Sequence, residues 1–428
     1  MKKRIAIIDG IRTPFCKAGG IFKNISADDL GAIVVKELLA RTDFPAKTID
    51  ELIFGNVAQP ANAANIARVI ALKAGLPTSL VAHTVHRNCA SGMQSITNAA
   101  NLILSEEAEI VLAGGTESMS QIPVLYSTAL TEWLFLFMKA KTLGEKIKTL
   151  LKLRFADLKP IIGLEEGLTD PICGLSMGMT AELLSREFHI TREEQDVFAL
   201  ESHKRASAAI QKSIFSEEII PVPIPPNYQK TQQIDDGPRV TQTIEALQKL
   251  KPYFDRKTGN VTVGNSCPVT DGAACVLLMT ETKAKEMNLS PLGYLRDYTY
   301  AALEGRRMGL GPVYATSKLL DKTNLTMKDF DLIEMNEAFA AQVLANEKAF
   351  ASAEFAKTTF GKNAALGELG RDRLNVNGGA IALGHPVGTS GTRLVLTLLK
   401  ELRRQNLNLG LATLCVGGGQ GAALVLEI

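Results

Sequence analysis

His86-Arg87-Asn88-Cys89-Ala90-Ser91-Gly92-Met93-Gln94-Ser95 marks the point at which a strand pattern changes into a helix pattern. Residues 80–85, which precede it, form a short run that ends in β-branched residues, and this predicts a buried strand. Beyond it, apolar residues recur at helical spacing over residues 93–104. We therefore expect Cys89 to lie where a strand turns into a helix.

The predicted position of Cys89 at a helix start bears on the reactivity of its thiol. The first N–H groups of a helix have no partner within the helix, and the helix dipole favours negative charge there. This setting predicts a lowered thiol pKa and a nucleophilic thiolate at neutral pH. The alternative is a buried, unreactive cysteine, which is the commoner case for a cysteine taken alone. A nucleophilic role therefore requires a base and an oxyanion site elsewhere in the chain.

The bulk composition is that of an ordinary globular protein. The chain has 428 residues, 46% hydrophobic and 21% charged, with a net charge of +2. That length predicts two or three domains, and the small net charge gives no reason to expect nucleic acid as a partner. Its six cysteines are widely spaced, which argues against a disulfide framework and for a reducing compartment. Because no apolar run approaches a membrane span, we expect a cytoplasmic protein.

Strand and helix patterns alternate at both ends of the chain, which predicts βα units and a largely parallel sheet. Residues 110–113 read as a strand closed by Gly114-Gly115, and residues 261–263 as a return to strand. The intervening residues are mainly helical in pattern, with a proline-rich strip, and indicate an inserted lobe. A second βα series begins near Gly293 and echoes the first. The echo favours two similar α/β halves with a site at their junction.

A second motif, Gly384-His385-Pro386-Val387-Gly388, supplies the candidate base. Pro386 restricts the backbone of His385 and so fixes the direction of the ring. A histidine near its ordinary pKa can take the Cys89 proton or hold an ion pair with the thiolate. The alternative is a core histidine with satisfied hydrogen bonds, but the glycine-dense turn favours a functional one.

Two further motifs supply the remaining candidate catalytic groups. In Cys415-Val416-Gly417-Gly418-Gly419-Gln420-Gly421, the cysteine follows a strand, and we expect it to face a cleft with the Gly417 N–H as an oxyanion donor. A phosphate-binding loop is the alternative. In Asn336-Glu337-Ala338-Phe339-Ala340, Asn336 is either a helix N-cap or a group that orients a water or an oxyanion. No spacing typical of zinc ligands is present, so no metal is expected.

These motifs together resemble the four signatures of the thiolase family, in order and at family-like spacing, from about residue 5 to the C-terminus. Gly114-Gly115-Thr116-Glu117-Ser118-Met119-Ser120 also matches a family segment. The resemblance implies an α/β thiolase fold: two similar βαβ-rich halves in five α-β-α-β-α layers with an inserted loop domain. The corresponding boundaries are 1–120 plus 259–283 for the N-terminal half, 121–258 for the loop domain and 284–428 for the C-terminal half.

The resemblance also implies roles for the motif residues. Cys89 would attack the 3-keto carbon of a 3-oxoacyl-CoA, with His385 activating it, and Cys415 would protonate the departing acetyl-CoA carbanion. Asn336, through a water, and His385 would form one oxyanion site. The N–H groups of Cys89 and Gly417 would form the other. Coenzyme A would be a substrate, with no tightly bound cofactor.

For coenzyme A, the resemblance points to Ser176, Met177, Ala338 and Phe339 as residues on the pantetheine side. One position departs from the family pattern, because Cys267 stands where a pantetheine-contacting serine is usual. A thiol is a weaker hydrogen-bond partner, so Ser266 is the alternative contact. The family implies a homodimer or a dimer of dimers.

Residues 133–158 resemble the longer insertion of trifunctional-complex β subunits. Between residues 139 and 154, six basic residues accompany only one acidic residue, Glu145, and leucine and isoleucine share one helical face. A basic amphipathic helix indicates a membrane surface or an acyl-chain-handling α subunit as a contact. A lid packed on its own lobe is the alternative.

The insertion favours medium or long acyl chains and a place in fatty-acid β-oxidation. An acetoacetyl-CoA thiolase working in the biosynthetic Claisen direction is the main alternative. A decarboxylating ketosynthase and a non-catalytic acyl-CoA-binding subunit are the remaining ones, and the intact set of Cys89, Asn336, His385 and Cys415 argues against the latter.

Overall fold

The computed structural model describes residues 3–428, which contain fourteen strands. The strands are β1 (Ile5–Arg12), β2 (Cys16–Lys17), β3 (Glu51–Gly55), β4 (Val81–Val85), β5 (Ile110–Ser118), β6 (Val124–Leu125), β7 (Ile161–Ile162), β8 (Val222–Ile224), β9 (Lys230–Gln232), β10 (Thr270–Thr280), β11 (Gly293–Ala302), β12 (Leu332–Met335), β13 (Leu409–Val416) and β14 (Gln420–Glu427).

The helices are α1 (Ala27–Arg41), α2 (Ile66–Lys73), α3 (Ser91–Leu104), α4 (Thr128–Lys139), α5 (Leu143–Leu150), α6 (Gly163–Gly167), α7 (Met177–Glu187), α8 (Arg192–Gln211), α9 (Ile244–Gln248), α10 (Glu281–Glu286), α11 (Gly311–Thr323), α12 (Ala340–Ala351), α13 (Ala353–Phe360), α14 (Ala380–Leu383) and α15 (Ser390–Gln405). As expected, Cys89 lies between β4 and the start of α3.

The two halves of the chain repeat one strand order. In the N-terminal half, β1 is antiparallel to β10, β10 is antiparallel to β5, and β5 is parallel to β3. In the C-terminal half, β11, β14, β13 and β12 follow the same order with the same directions. β1 also pairs with β11, so the two sets join into one sheet path. The prediction of two similar halves is confirmed.

Alternating side chains on these strands divide the core between its three largest apolar clusters. On β10, Leu277 packs with α1 and α2, whereas the adjacent Leu278 packs with α3 and α15. On β14, Leu424 joins that same central cluster, whereas Val425 packs with α11 and α12. Helices α3 and α15 therefore lie between the two halves of the sheet, with helices on both outer faces. This is the five-layered arrangement that the sequence predicted.

The expectation of a largely parallel sheet is wrong. Of the pairings in the large sheet, β3 with β4, β3 with β5, and β12 with β13 are parallel, and the others are antiparallel. The connection between β13 and β14 is a short glycine turn, and a turn of that length can join only antiparallel strands. The sheet is mixed because the last strand of each half, β10 or β14, runs antiparallel to both of its neighbours in the sheet path.

Three local expectations were also wrong. β5 continues through Gly114 and Gly115 to Ser118, because these glycines allow close approach: a Cβ on Gly115 would lie 2.1 Å from the Gly388 carbonyl oxygen. Residues 261–263 form a turn instead of a strand, with the Val261 N–H bound to Glu182. The strand before Cys89 is an edge strand, and its first residue, Val81, is 60% exposed.

The segment between β5 and β10 divides into two parts. Helices α7 and α8 pack against α12 and α14 of the C-terminal half. Helices α4 and α5 pack mainly against each other, with the Trp133 indole N–H donating to the Thr149 carbonyl at 2.7 Å. Within residues 3–428, no helix combines the length and apolar character needed to cross a bilayer.

Candidate active site

A hydrogen-bonded turn holds Cys89 against the β13–β14 turn. Asn88 adopts a positive φ of 42°, and its Nδ2 donates to the Gly417 carbonyl oxygen at 2.8 Å. The Ser91 hydroxyl closes the turn by donating to the Asn88 carbonyl at 2.7 Å. As a result, the N–H groups of Gly417 and of Cys89 itself both point at the Cys89 sulfur. These are the two donors that the sequence predicted for one oxyanion site.

The predicted lowering of the Cys89 pKa is wrong in direction. Burial raises the pKa of this thiol, and the two N–H groups that favour the thiolate only partly offset the burial. The helix-start argument considered only local dipoles, whereas burial depends on the whole fold. The resting Cys89 is therefore a neutral thiol, which needs a base before it can attack.

His385 has the protonation state of that base. Gly384 takes a φ of 109°, and the His385 ring is buried, with Nδ1 2.6 Å from the Ser390 hydroxyl. Since that hydroxyl donates to the Pro386 carbonyl, it accepts from Nδ1–H, which assigns the free lone pair to Nε2. Burial and then the positive charge of Arg393 lower the His385 pKa to about 4. A neutral imidazole fits proton abstraction and argues against a resting ion pair.

Asn336 faces the same ring. Its Nδ2 lies 3.4 Å from His385 Nε2, and its backbone N–H donates to the Thr413 carbonyl. The N-cap alternative is wrong, because α12 begins at Ala340 and its N-cap residue is Phe339. The Asn336 Oδ1 atom is buried and has no hydrogen-bond partner in the described part of the chain. Such an atom is available to accept a hydrogen bond from a water.

Cys415 ends β13 beside Cys89. It is 1% exposed, so the expectation that it faces an open cleft is wrong; Ala338, Phe339 and Met308 pack around it. Burial raises its pKa well above the ordinary value, and nearby Cys89 and Cys267 raise it further. This thiol keeps its proton at neutral pH, which suits a proton donor.

The predicted coenzyme A residues fall into two groups. Met177, Ala338 and Phe339 belong to the apolar cluster around Cys415. The hydroxyls of the predicted serines are already engaged: Ser176 caps α7 by accepting from the Met179 N–H, and Ser266 donates to the Thr262 carbonyl. The structure thus brings the apolar members to the site, and the serines take part in local bonds.

Cys267 lies near the other two thiols. Its backbone N–H donates to the Ala338 carbonyl at 3.0 Å. Burial, followed by the neighbouring Cys89, raises the Cys267 pKa to about 12. Cys267 is therefore a neutral, partly buried thiol near the nucleophile.

Sequence reasoning missed two buried glutamates near these motifs, Glu117 and Glu337. Both lie inside the quoted motifs but received no role. Burial raises the pKa of each, Glu117 to about 7. The sequence did contain a signal for both residues, namely a glutamate among small and apolar residues near the end of a strand. Because an unpaired carboxylate is costly to bury, a glutamate in that setting indicates specific hydrogen-bond partners.

Comparison with known proteins agrees with the geometry. The family model for the thiolase N-terminal domain matches residues 5–282, and that for the thiolase C-terminal domain matches residues 289–428. A 3-ketoacyl-CoA thiolase of Pectobacterium atrosepticum is 44% identical over 426 residues, covering 99% of this chain and 97% of that protein. A 3-ketoacyl-CoA thiolase of Yersinia pestis has the same identity and coverage.

Two solved structures are similar over nearly the whole chain. The Bacillus anthracis acetyl-CoA acetyltransferase has a TM-score of 0.87 at 38% identity, covering 100% of this chain and 99% of that one. Human mitochondrial 3-ketoacyl-CoA thiolase in complex with CoA has a TM-score of 0.86 at 37% identity, covering 99% and 98%. Because family models, relatives and folds all match over nearly the full length, this protein belongs to the thiolase family of acyltransferases.

Proposed function

We propose that this enzyme cleaves 3-oxoacyl-CoA with coenzyme A, giving acetyl-CoA and an acyl-CoA shortened by two carbons, through an acyl-enzyme on Cys89. The observation that carries the proposal is that the motifs lie together. The Cys89 motif packs against the His385 motif, since a Cβ on Gly92 would lie 3.1 Å from the Gly388 carbonyl oxygen. The Gly417 N–H and Cys415 are near the Cys89 sulfur, and Asn336 contacts His385. Relatives named 3-ketoacyl-CoA thiolase support this reaction.

The first half-reaction follows from the protonation states. His385 Nε2 takes the Cys89 proton, and the sulfur attacks the 3-keto carbon, whose oxygen is stabilised by the N–H groups of Cys89 and Gly417. The C2–C3 bond then breaks, and its electron pair forms the enolate of acetyl-CoA. Cys415 gives its proton to C2 of that enolate. The protonated His385, together with a water that donates to the unpartnered Asn336 Oδ1 and to the substrate, would stabilise the enolate oxygen.

In the second half-reaction, the Cys415 thiolate removes the proton of an incoming coenzyme A thiol. That sulfur attacks the acyl group on Cys89 and expels the Cys89 thiolate, which recovers its proton from His385. Every proton is returned, so the cycle consumes one 3-oxoacyl-CoA and one CoA. Covalent catalysis thus divides carbon–carbon cleavage into two easier steps.

Thiolysis measured across 3-oxoacyl-CoA chain lengths tests the proposal. We expect CoA-dependent loss of the 3-oxoacyl-CoA absorbance, with a preference for medium or long chains and a role in fatty-acid β-oxidation. The matched control is Cys89→Ala, which should abolish turnover. Acyl-CoA binding without turnover at any chain length would instead indicate a non-catalytic binding subunit.

A second candidate is acetoacetyl-CoA synthesis from two acetyl-CoA molecules. The similarity to an acetyl-CoA acetyltransferase structure favours it, because the condensation reverses the same steps with the same residues. Faster turnover of acetoacetyl-CoA than of any longer substrate would favour this candidate. A decarboxylating ketosynthase has no use for Cys415 and would retain its activity in the Cys415→Ala variant.

We further propose that the protein works in the cytoplasm as a homodimer or a dimer of dimers. The edge strand β4, with Val81 60% exposed, supports an association surface at that side of the N-terminal half. Light scattering coupled to gel filtration measures the assembly. A monomer at micromolar concentration would contradict this part of the proposal.

The α4–α5 hairpin supports a contact with a membrane surface or an acyl-chain-handling α subunit. Apolar side chains of α5 are exposed: Leu143 is 75% and Ile147 is 50% exposed. In the residues that follow α5, Leu151 is 81% and Phe155 is 95% exposed. Lysines 139, 141, 146, 148 and 152 lie in the same stretch of the chain. Exposed apolar side chains among basic residues are typical of a peripheral contact with an anionic surface.

A further inference from the structure

Glu117 binds the turn that follows His385. This carboxylate lies at the end of β5, is 1% exposed, and accepts the Gly388 N–H at 2.8 Å. It also accepts the N–H groups of Val57 and Ala58, at 3.1 and 2.8 Å, and the Asn56 side-chain amide at 3.1 Å. The His385 turn is thereby attached to the ends of β3 and β5 in the N-terminal half.

Glu337 holds the same segment from the other side. It is 2% exposed and accepts the Ile381 N–H at 3.2 Å and the Ser202 hydroxyl at 2.6 Å. Its second oxygen accepts from Asn375 Nδ2 at 2.9 Å. A Cβ on Gly379 would lie 2.2 Å from the Glu337 side chain, so this segment approaches the carboxylate as closely as glycine allows. The attachment here is to the C-terminal half.

These two attachments decide where the His385 ring lies. The hydrogen bond of the ring through Nδ1 is to Ser390, in the same turn, so it orients the ring within the turn without locating the turn. The N-terminal half carries Cys89, and the end of β3 is packed directly against the start of α3: a Cβ on Gly55 would lie 2.5 Å from the Ser91 backbone. Glu117 therefore links the base to the framework of the nucleophile.

We propose that Glu117 and Glu337 are positioning residues, which set the distance between His385 and Cys89 by holding the 381–388 segment between the two halves. The proposal rests on the function proposed above, since it assigns both residues to the activation of Cys89. Every partner of Glu117 is a donor, so a carboxylate satisfies all of them, whereas a glutamine would set its NH2 group against N–H donors. Misplacing a base by about 1 Å can cost roughly 100-fold in rate.

The test compares Glu117→Gln with Asp50→Asn. Asp50 also accepts two backbone N–H groups, those of Glu109 and Ile110, but at the opposite end of the same strands. We would measure the rate of Cys89 alkylation by iodoacetamide, with the modified peptide identified by mass spectrometry, together with thermal unfolding and kcat and KM for thiolysis. Glu117→Gln should lower the alkylation rate and kcat by about 10- to 100-fold with KM nearly unchanged, and Asp50→Asn should change neither.

A double-mutant cycle with His385→Ala separates positioning from general structural damage. If Glu117 acts through His385, Glu117→Gln should have no further effect on alkylation once His385 is removed. An equal loss in both backgrounds would overturn the proposal, as would unchanged alkylation in a folded Glu117→Gln protein. Glu337→Gln provides the same cycle from the C-terminal half if Glu117→Gln does not fold. Because alkylation needs no CoA substrate, the cycle is informative even if the wild-type enzyme fails to cleave 3-oxoacyl-CoA.

Discussion

The two halves use one topology for different chemistry. In the strand registers, Gly55 pairs with Gly115 in one half and Met335 pairs with Thr413 in the other. The residues that follow β3 and β12 are therefore equivalent, and both are asparagines, Asn56 and Asn336. Two positions beyond the paired residues of β5 and β13 lie Glu117 and Cys415. A carboxylate in the N-terminal half thus occupies the position that the proposed proton donor, Cys415, occupies in the C-terminal half.

The surroundings of these equivalent residues explain the difference. The Asn56 side-chain NH2 donates to the Thr116 carbonyl and to Glu117, whose remaining partners are backbone N–H groups, so the donors of this corner are all engaged, whereas Asn56 Oδ1, like Asn336 Oδ1, has no partner within the described residues. The Asn336 amide faces an imidazole lone pair, and Cys415 has thiols and apolar groups around it. We infer that Asn56 and Glu117 have a structural role, whereas Asn336 and Cys415 take part in proton transfer. Substitutions at equivalent positions can break or sharpen this contrast.

The largest effect is expected at Cys415. Cys415→Ala removes the proton donor and should lower thiolysis by about 1,000- to 10,000-fold, in the upper range for a general acid. Formation of the Cys89 acyl-enzyme from acetyl-CoA should fall much less, because the departing CoA thiolate is a stable anion and needs a proton donor far less than the enolate carbon does. Radiolabelled acetyl transfer to Cys89, measured beside steady-state thiolysis, provides the comparison. Equal loss of both reactions would mean that Cys415 serves the acylation step itself.

The asparagine pair should give the next largest difference. Asn336→Ala removes an amide from the proposed oxyanion side and should lower kcat by about 100-fold, with little change in thermal stability. Asn56→Ala should instead lower the melting temperature and change kcat by less than about tenfold, because its amide bonds only to the protein. Parallel calorimetry and kinetics on both variants test the assignment, and similar kinetic losses would remove the distinction between the two corners.

The pKa of Glu117 predicts the direction in which kcat changes with pH. Burial, followed by the opposing backbone N–H bonds and a raising effect of Asp271, sets its pKa at about 7, so the carboxylate gains a proton as the pH falls through that value. A protonated carboxyl cannot accept four N–H groups, and we expect kcat to fall by several-fold between pH 8 and pH 6. His385 itself titrates only near its pKa of about 4, and contributes nothing in this range. In Glu117→Gln, kcat should be lower but flat between these pH values; a limb at the same pH in that variant would assign the titration to another group.

The sequence could predict the reacting groups because each lies in a short, glycine-rich motif. Cys89, His385 and Gly417 are recognisable from neighbours within a few residues, and so is the division into two similar halves. The properties that the sequence did not predict depend on segments that are distant along the chain. The direction of the Cys89 pKa is set by burial, and the role of Glu117 depends on N–H groups from residues 57, 58 and 388, which no local pattern connects.

Strand direction failed for a related reason. Alternating strand and helix patterns are shared by parallel and mixed sheets, and β10 returns beside β5 only after the whole inserted segment. The closing turn at Gly417 to Gly419 carried the information that β13 and β14 are antiparallel. The glycines of this turn indicate its chemistry, whereas its shortness is the feature that decides strand direction.

The smallest catalytic effect is expected outside both halves, in the α4–α5 hairpin. Replacing Leu151 and Phe155 with serine changes side chains that are 81% and 95% exposed, so thiolysis of short substrates should stay within about twofold of wild type. Sedimentation with anionic phospholipid vesicles should fall by about tenfold, since both apolar anchors are lost while the lysines remain. A matched variant, Lys146→Gln with Lys148→Gln, should lose binding mainly at low salt. Vesicle binding unchanged in both variants would rule out a lipid contact and leave a protein partner as the occupant of this surface, because an apolar face this exposed otherwise favours aggregation.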